Sequence, residues 1–536
     1  MNNISPSKSP DNKSSLHPLV IALVLAGGIL IGYLISLKTQ DKATIFNSYE
    51  YNKIDDVLDY VEDNYVDSIN REDLENMAIE ELLADLDPHS YYIPAEETQG
   101  IEEDMQGNFE GIGVQFRIIK DTINIESIIE GGPSEKVGVQ GGDKIVEVED
   151  SLVAGVGVSN GDVMKMLKGP KGTKVKITVL RSGKMIPFEI TRDKIPLYSV
   201  DAFYMLTTET GYIKVNRFAA TTYDEFMAGV GFLKDQGMQN LIFDLRGNPG
   251  GYLQAAVEMT DELLDGRKLV VYTEGLHQEK YEYTTARKGI FEEGELILLI
   301  DQNSASASEI VAGAIQDWDR GTIIGRRTFG KGLVQDQHAF PDNSALRLTI
   351  ARYYTPSGRS IQKSYDDLEA YNNEVDLRYE SGELLGVDST GDKQDTMKYY
   401  TLVENRPVFG GGGIAPDIFM PLDTSYANYY VASLRGYISP FLYNYKEEQE
   451  SSLEKYDEGN FVEGFQVSES MLSAFKAFAK KEGYKGEFSM VLEYESGLRL
   501  LLKANLARQL FNKESFYKAL NNESPIIKKA LEELAN

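Results

Sequence analysis

The 536-residue chain contains no cysteine. That absence excludes disulfides, a thiolate nucleophile and any cysteine-ligated zinc or iron–sulfur centre. Histidine is scarce too: His17 borders an apolar run, His89 follows a helix stop, His277 sits in a polar stretch, and His338 is nearest to the serines discussed below. Positive charge is in deficit, 54 Lys and Arg against 84 Asp and Glu, a formal charge of −30. Such a balance repels phosphate backbones and argues against nucleic acid as the main partner. One long apolar run exists, the 19 uncharged residues Leu19 to Leu37, close to the roughly 20 that cross a bilayer as a helix. No small-x-small cleavage motif follows it, because the chain continues Lys38-Thr-Gln-Asp41. The expectation is a polar tail over 1–18 and an uncleaved transmembrane signal anchor over 19–37. The short head favours a single-pass protein of the inner (cytoplasmic) membrane with its body on the periplasmic side.

A chain this long holds several domains. Helical spacing of Ile54, Val57, Leu58 and Val61, and of Leu74, Met77, Ala78 and Leu82, predicts a helical segment over 44–100, broken at Asp87-Pro88. From Phe109 to Arg192 short strands alternate with glycine turns, which marks a β-rich module over 105–194. Strands then alternate with helices over 195–435, an α/β layer structure. Within it the acidic, tyrosine-rich stretch 364–405 reads as a surface insertion. The remainder, 436–536, is charged and helical, a place for an oligomer contact or an adaptor.

Three stretches of the α/β region can carry chemistry. In Asp301-Gln-Asn-Ser304-Ala-Ser306-Ala-Ser308-Glu309, the box Ser306-Ala-Ser-Glu309 caps a helix start. The same position places a serine where the free N–H of Ala307 and the helix dipole stabilise an oxyanion. Such a serine needs a base. A lysine serves if burial lowers its pKa from about 10.4 towards 7 to 8, at a cost on the order of 4 kcal/mol. Lys331, in Thr328-Phe-Gly-Lys-Gly332, has glycines beside it, Phe329 as an apolar wall, and Gln335 on the same strand face to orient the amine. Gly325 to Lys331 also imitates a P-loop, but Gly332 replaces the Ser/Thr that would hold magnesium, and a strand follows where a helix is required. In Asp244-Leu-Arg-Gly-Asn-Pro-Gly-Gly251 the amides of Gly250 and Gly251 are further candidates for an oxyanion hole.

Together these stretches, with Tyr354-Thr-Pro-Ser-Gly-Arg-Ser-Ile361 after them, resemble the C-terminal processing (tail-specific) proteases, Ser-Lys peptidases with a PDZ domain. The resemblance implies Ser306 as nucleophile, Lys331 as base and Gln335 as its assistant. Ser304 and Ser308 fall on flanking positions and read as packing or capping, and Asp317 as structural. It also implies that the β-rich module is a PDZ domain whose loop Gly111-Ile112-Gly113-Val114 captures the carboxylate of a protein tail, by addition of a strand to a sheet edge. No metal or cofactor is called for. The competing reading is a PDZ scaffold that binds tails without cutting them.

Overall fold

The computed structural model describes residues 16–39, 52–129, 131–387, 398–425, 428–488 and 494–536, with side chains of the first stretch described over 20–31. The chain divides into two compact units, Met1–Ile79 and Glu80–Asn536.

In the first unit Leu16–Thr39 is helical, and Val20, Leu23, Val24 and Ile29 on it are exposed. Among the described residues no helix is long and apolar enough to cross a membrane, so the anchor expected at 19–37 gains no support here. The helix Lys53–Asn64 begins at Asn52, whose side chain accepts the N–H of Ile54 at 3.2 Å. Arg71 then fastens this helix to the next through Glu62 at 3.3 Å and Glu75 at 2.7 Å.

The second unit adds a strand to the helical segment expected over 44–100, just after the expected break at Asp87-Pro88. Tyr91–Ile93 is a strand, paired antiparallel with Ala345 to Arg347, and the helix Ala95–Gln106 follows it. The β-rich module is an antiparallel sheet in the order Val114–Ile119, Thr122–Ile128, Lys144–Val148, Lys174–Arg181, Lys184–Thr191. Alternate residues such as Val175, Ile177 and Val179 point into its core, as strand period dictates. The helix Asn160–Leu167, started by a Ser159–Asp162 capping box, covers that core. Chain entry and exit pair as a ribbon, Asn108–Gly111 with Asp193–Pro196. Val114–Ile119 is left as an edge strand.

The α/β core has six strands side by side, Val200–Met205, Thr210–Val215, Asn240–Asp244, Leu296–Ile300, Thr322–Gly325 and Ile418–Phe419. The first pair is antiparallel and every later pair parallel. Leu296–Ile300 is buried along its whole length, the pattern of a strand covered on both faces. One face carries the helices Thr222–Asp235, Leu253–Asp261 and Ala307–Asp317. The other meets the last helix, Pro525–Leu534, through Ile526, Ile527 and Ala530. A second sheet carries Leu333–Ala339 against Ala345–Tyr354.

The C-terminal helices start earlier than expected, with Tyr429–Glu448, because Asn428 caps that helix by accepting the N–H of Val431 at 2.9 Å. With Glu469–Lys481 and Glu495–Leu510 it encloses a core of Leu434, Phe441, Phe475 and Leu502. The insertion also differs from a plain surface loop. Tyr371, Arg378 and Leu384 within it are buried, and it packs beneath the loop that carries Lys331. Its residues 388–397 lie outside the described residues.

Candidate active site

In open α/β sheets, functional groups collect beyond the carboxyl ends of parallel strands. Here three such strands end in the three stretches singled out above. Asn240–Asp244 leads to Gly250 and Gly251, Leu296–Ile300 to Ser306, and Thr322–Gly325 to Lys331. The first two loops are stitched together. Ser304 Oγ donates to the Leu245 carbonyl at 2.8 Å, Ser308 Oγ to the Asn248 carbonyl at 2.9 Å, and the Ala305 N–H to that same carbonyl at 3.0 Å. Both flanking serines thus serve packing. The seam presses Gly250 onto Ser306: a Cβ on Gly250 would lie 2.7 Å from that of Ser306 and 2.9 Å from the Ala307 nitrogen.

Ser306 itself has φ +54° and ψ −115°, a conformation that costs a non-glycine residue about 1–3 kcal/mol and is held only where its surroundings insist. Its carbonyl takes the N–H groups of Glu309 at 2.8 Å and Ile310 at 3.1 Å, so the helix start does not depend on the hydroxyl. The other half of the capping box does more than the sequence suggested. Glu309, fully buried, accepts on Oε2 from the N–H of Ser306 at 2.8 Å and of Lys331 at 2.9 Å. On Oε1 it accepts from the N–H of Gly330 at 2.7 Å and the Thr328 hydroxyl at 2.5 Å. One carboxylate therefore sets the spacing between the two loops. Tyr353 repeats the link, its hydroxyl donating to the Ser306 carbonyl at 3.1 Å and to the Lys331 carbonyl. Burial pushes the Glu309 carboxyl up from its ordinary range, against the pull of these donors.

Lys331 Nζ donates to Gln335 Oε1 at 2.9 Å, and the Gln335 amide donates onward to the His89 carbonyl. A bulge between Val334 and Gln335 brings that amide round. Burial lowers the Lys331 amine, and the positive charge of Arg347 lowers it further, while Asp87 and Glu309 act in the opposite sense. Ser306, Lys331, Gln335, Gly250, Gly251 and Ala307 line one cavity of about 930 Å³. Its wall includes Leu253, Ile310, Tyr283 and Leu333, which suit apolar side chains, with Arg217 and Arg347 among the polar groups.

The amides divide. The N–H groups of Ala307 and Gly251 make no hydrogen bond among the described residues. The Gly250 N–H, expected to be free, donates to Asn248 Oδ1 at 2.9 Å and is unavailable to an oxyanion. Asn two residues ahead of the donor is an Asx turn, a signal legible in the sequence. Asp317 lies apart, paired with Arg359 at 2.8 Å and accepting the Ser357 N–H at 2.9 Å. His277 and His338 are exposed. His89 stands behind Gln335, its Nε2 2.5 Å from the Tyr371 hydroxyl and its imidazole lowered to about 4, chiefly by burial. A serine on a helix start, a part-buried amine and two N–H groups without an acceptor among the described residues are the parts that acyl transfer requires.

In the β-rich module, Gly111 closes the entry ribbon and Val114 opens the edge strand. Between them the carbonyls of Ile112 and Gly113 accept the N–H groups of Ser134 at 3.1 Å and Ile129 at 3.0 Å, while their own N–H groups make no hydrogen bond among the described residues. The helix Ala95–Gln106 is a wall shared by two cavities. Met105 faces the one that holds Ser306, and Gln99 faces one of about 700 Å³ beside Phe109 and Lys168. Lys168 is paired with Glu103 of this helix.

Residues 209–369 match the model of peptidase family S41, residues 111–191 that of the PDZ domain, and residues 429–512 a family of unknown function. A carboxy-terminal-processing protease of Bartonella bacilliformis is 34% identical over 349 residues, 64% of this chain and 79% of that protein. A probable CtpA-like serine protease of Staphylococcus epidermidis is 31% identical over 369 residues, 66% of this chain and 74% of that one. Among solved structures, a photosystem II D1 C-terminal processing protease is 25% identical with a TM-score of 0.34, covering 68% of this chain and 86% of its own. The chain belongs to the carboxy-terminal-processing serine proteases of peptidase family S41.

Proposed function

We propose that the chain cuts protein or peptide substrates near their C-termini with Ser306 as nucleophile and Lys331 as general base. The meeting of a helix-start serine and a desolvated lysine in one cavity, tied at fixed spacing by Glu309, carries this reading. Neutral Lys331, held by Gln335, takes the proton of Ser306, and Oγ attacks the scissile carbonyl. The N–H groups of Ala307 and Gly251 receive the oxyanion. The lysine ammonium gives its proton to the leaving amine; water, deprotonated in turn by Lys331, then hydrolyses the ester and frees the serine.

The substrate tail adds a strand to the edge Val114–Ile119, with its carboxylate on the N–H groups of Ile112 and Gly113 at the Gly111–Val114 loop. The shared helix Ala95–Gln106 gives such binding a route to the catalytic cavity, so the PDZ domain gates cleavage. Equal cleavage of a tail with a free carboxylate and of its amidated form would remove that gate.

Purified full-length protein should cleave an unfolded substrate with an apolar C-terminus, and Ser306→Ala and Lys331→Ala should each lose about 10³-fold or more in rate. Cleavage retained by Ser306→Ala overturns the assignment. Tail binding without cleavage by the wild type would favour the PDZ scaffold instead. The uncharged stretch 19–37 further supports attachment to the inner membrane with the catalytic part outside the cytoplasm. Release of the full chain from membranes by alkaline carbonate would count against it.

A further inference from the structure

We propose that the segment 364–387 braces the loop that carries Lys331, with Tyr371, Arg378 and Glu383 as positioning residues for the base. The proposal rests on the reading of Lys331 as general base. These residues lie beyond the part of the chain that matches the peptidase family model, which ends at 369.

A loop with glycines at 330 and 332 does not hold a side chain still by itself. Lys331 acts only if its amine stays dry and within reach of Ser306, so something must fix residues 327–330. Each is gripped in turn. Arg327 is held along one edge of its guanidinium by Glu383, Nε to Oε1 and Nη2 to Oε2, each at 3.0 Å. Arg378 shares that carboxylate at 3.0 Å and donates to the carbonyls of Arg327 at 2.8 Å and Thr328 at 3.4 Å. The Phe329 ring stands edge to face with Tyr371 at 5.9 Å, and Lys363 Nζ lies over both rings, 3.8 Å and 4.0 Å from their centres. Lys363 is anchored to Glu374 of the same segment at 2.6 Å, and its N–H donates to the Gly330 carbonyl at 3.0 Å.

The brace also reaches the amine from behind. The Tyr371 hydroxyl lies 2.5 Å from His89 Nε2, and the His89 carbonyl holds the Gln335 amide whose oxygen binds Lys331 Nζ. The bidentate Arg–carboxylate contact is directional, which suits a part whose task is geometry. Its two side chains are part-buried, Arg327 15% and Glu383 30% exposed, so salt screens the contact less than it would a surface pair.

Three full-length variants test this: Glu383→Gln, which weakens the grip on both arginines; Tyr371→Phe, which removes one hydroxyl and keeps the ring; and Arg378→Lys as the conservative comparison. If the brace positions the base, Glu383→Gln lowers kcat by about 10²-fold, the usual effect of an ångström-scale misplacement, with KM within about threefold. The acid limb of its kcat/KM profile moves to higher pH, because a loosened loop lets water reach Lys331. Tyr371→Phe moves the limb in the same direction by a smaller amount, and Arg378→Lys, which keeps the charge, loses less kcat than Glu383→Gln. Wild-type kcat and an unmoved limb in Tyr371→Phe and in folded Glu383→Gln overturn the brace. If Glu383→Gln does not fold, Tyr371→Phe alone decides. Lys331→Ala separates the two ideas: its full activity would remove the base assignment, whereas an inactive Lys331→Ala beside unchanged brace variants removes only the brace.

Discussion

Replacing Glu309 by Gln should unseat the proposed nucleophile, Ser306, and the proposed base, Lys331, together. The carboxylate accepts four hydrogen bonds, two on each oxygen, whereas a glutamine amide offers one oxygen and one NH2. With the NH2 in place of Oε2, it faces the N–H groups of both Ser306 and Lys331. With the NH2 in place of Oε1, the Thr328 hydroxyl can turn to accept, but the Gly330 N–H is stranded. The second arrangement is the cheaper. It leaves two buried donors unmet, the Gly330 N–H and the amide hydrogen that faces it, about 1 kcal/mol or more each, and turns the two remaining bonds from charge-assisted to neutral, roughly 1 kcal/mol each. Relief from burying a charge offsets part of this, since burial already holds the Glu309 carboxyl above its usual range. A net loss on the order of 2–4 kcal/mol follows.

The pH dependence has a definite sign. A carboxyl whose folded pKa is raised favours the folded state while protonated, and that contribution fades as pH rises from about 4.5 through the raised value. The stability gap between wild type and Glu309→Gln should therefore narrow as pH rises through that window. Catalysis should fall more steeply than stability, by about 10²-fold in kcat, because the amine and hydroxyl lose their common anchor. Thermal melts across pH and turnover of a quenched peptide substrate measure both. A Glu309→Gln protein with wild-type kcat would refute the claim that this carboxylate spaces the pair.

Other consequences can be checked alongside. Arg347→Gln removes a like charge that lowers Lys331, so the acid limb of kcat/KM should move to higher pH with little change at the alkaline plateau; an unmoved limb would show burial acting alone. Gly250→Ala forces a Cβ to 2.7 Å from both the Ala305 carbonyl oxygen and the Ser306 Cβ, at a φ of +100°; turnover should fall by about 10²-fold or more, and labelling of Ser306 by a fluorophosphonate should slow in parallel. Ile527→Ala should cost about 2–5 kcal/mol in a denaturant titration, because Ile527 is 2% exposed against the far face of the catalytic sheet; a loss below about 1 kcal/mol would make the last helix an appendage.

What the sequence disclosed and what it withheld divide along contact range. Ser306 and Lys331 stood out because a helix start, flanking glycines and an apolar wall are written within a few residues. Glu309 could be read as a cap for the same reason. Its second hold, on Thr328, Gly330 and Lys331, spans about twenty residues and leaves no periodic mark. The Gly250 amide was misjudged although its acceptor, Asn248, is local; attention to glycine outweighed the Asx turn. The strand Tyr91–Ile93 was missed because three residues carry no alternation, and its partner lies some 250 positions away. The insertion looked like surface because acidity usually means solvent. In the fold its acids have cations to meet, Arg327, Lys363 and Arg378.

That pairing bears on how a chain of net charge −30 could keep Lys331 neutral enough for the proposed role of base. Each carboxylate near Lys331 raises the amine, and Asp87 and Glu309 already do so. Glu309 spends its four acceptor positions on N–H and O–H donors and none on Nζ, so it holds the lysine backbone without forming an ion pair with the amine. Glu374 and Glu383 are matched to Lys363, Arg327 and Arg378. Among the described residues the one side-chain hydrogen bond that Nζ makes is to a neutral amide, Gln335. A carboxylate there would fix the lysine as an ammonium; the amide orients it and leaves the charge to be set by burial and by Arg347. Gln335→Glu is the sharpest probe of that logic, a change of one atom that should push the acid limb to higher pH and suppress turnover at neutral pH while leaving the fold intact.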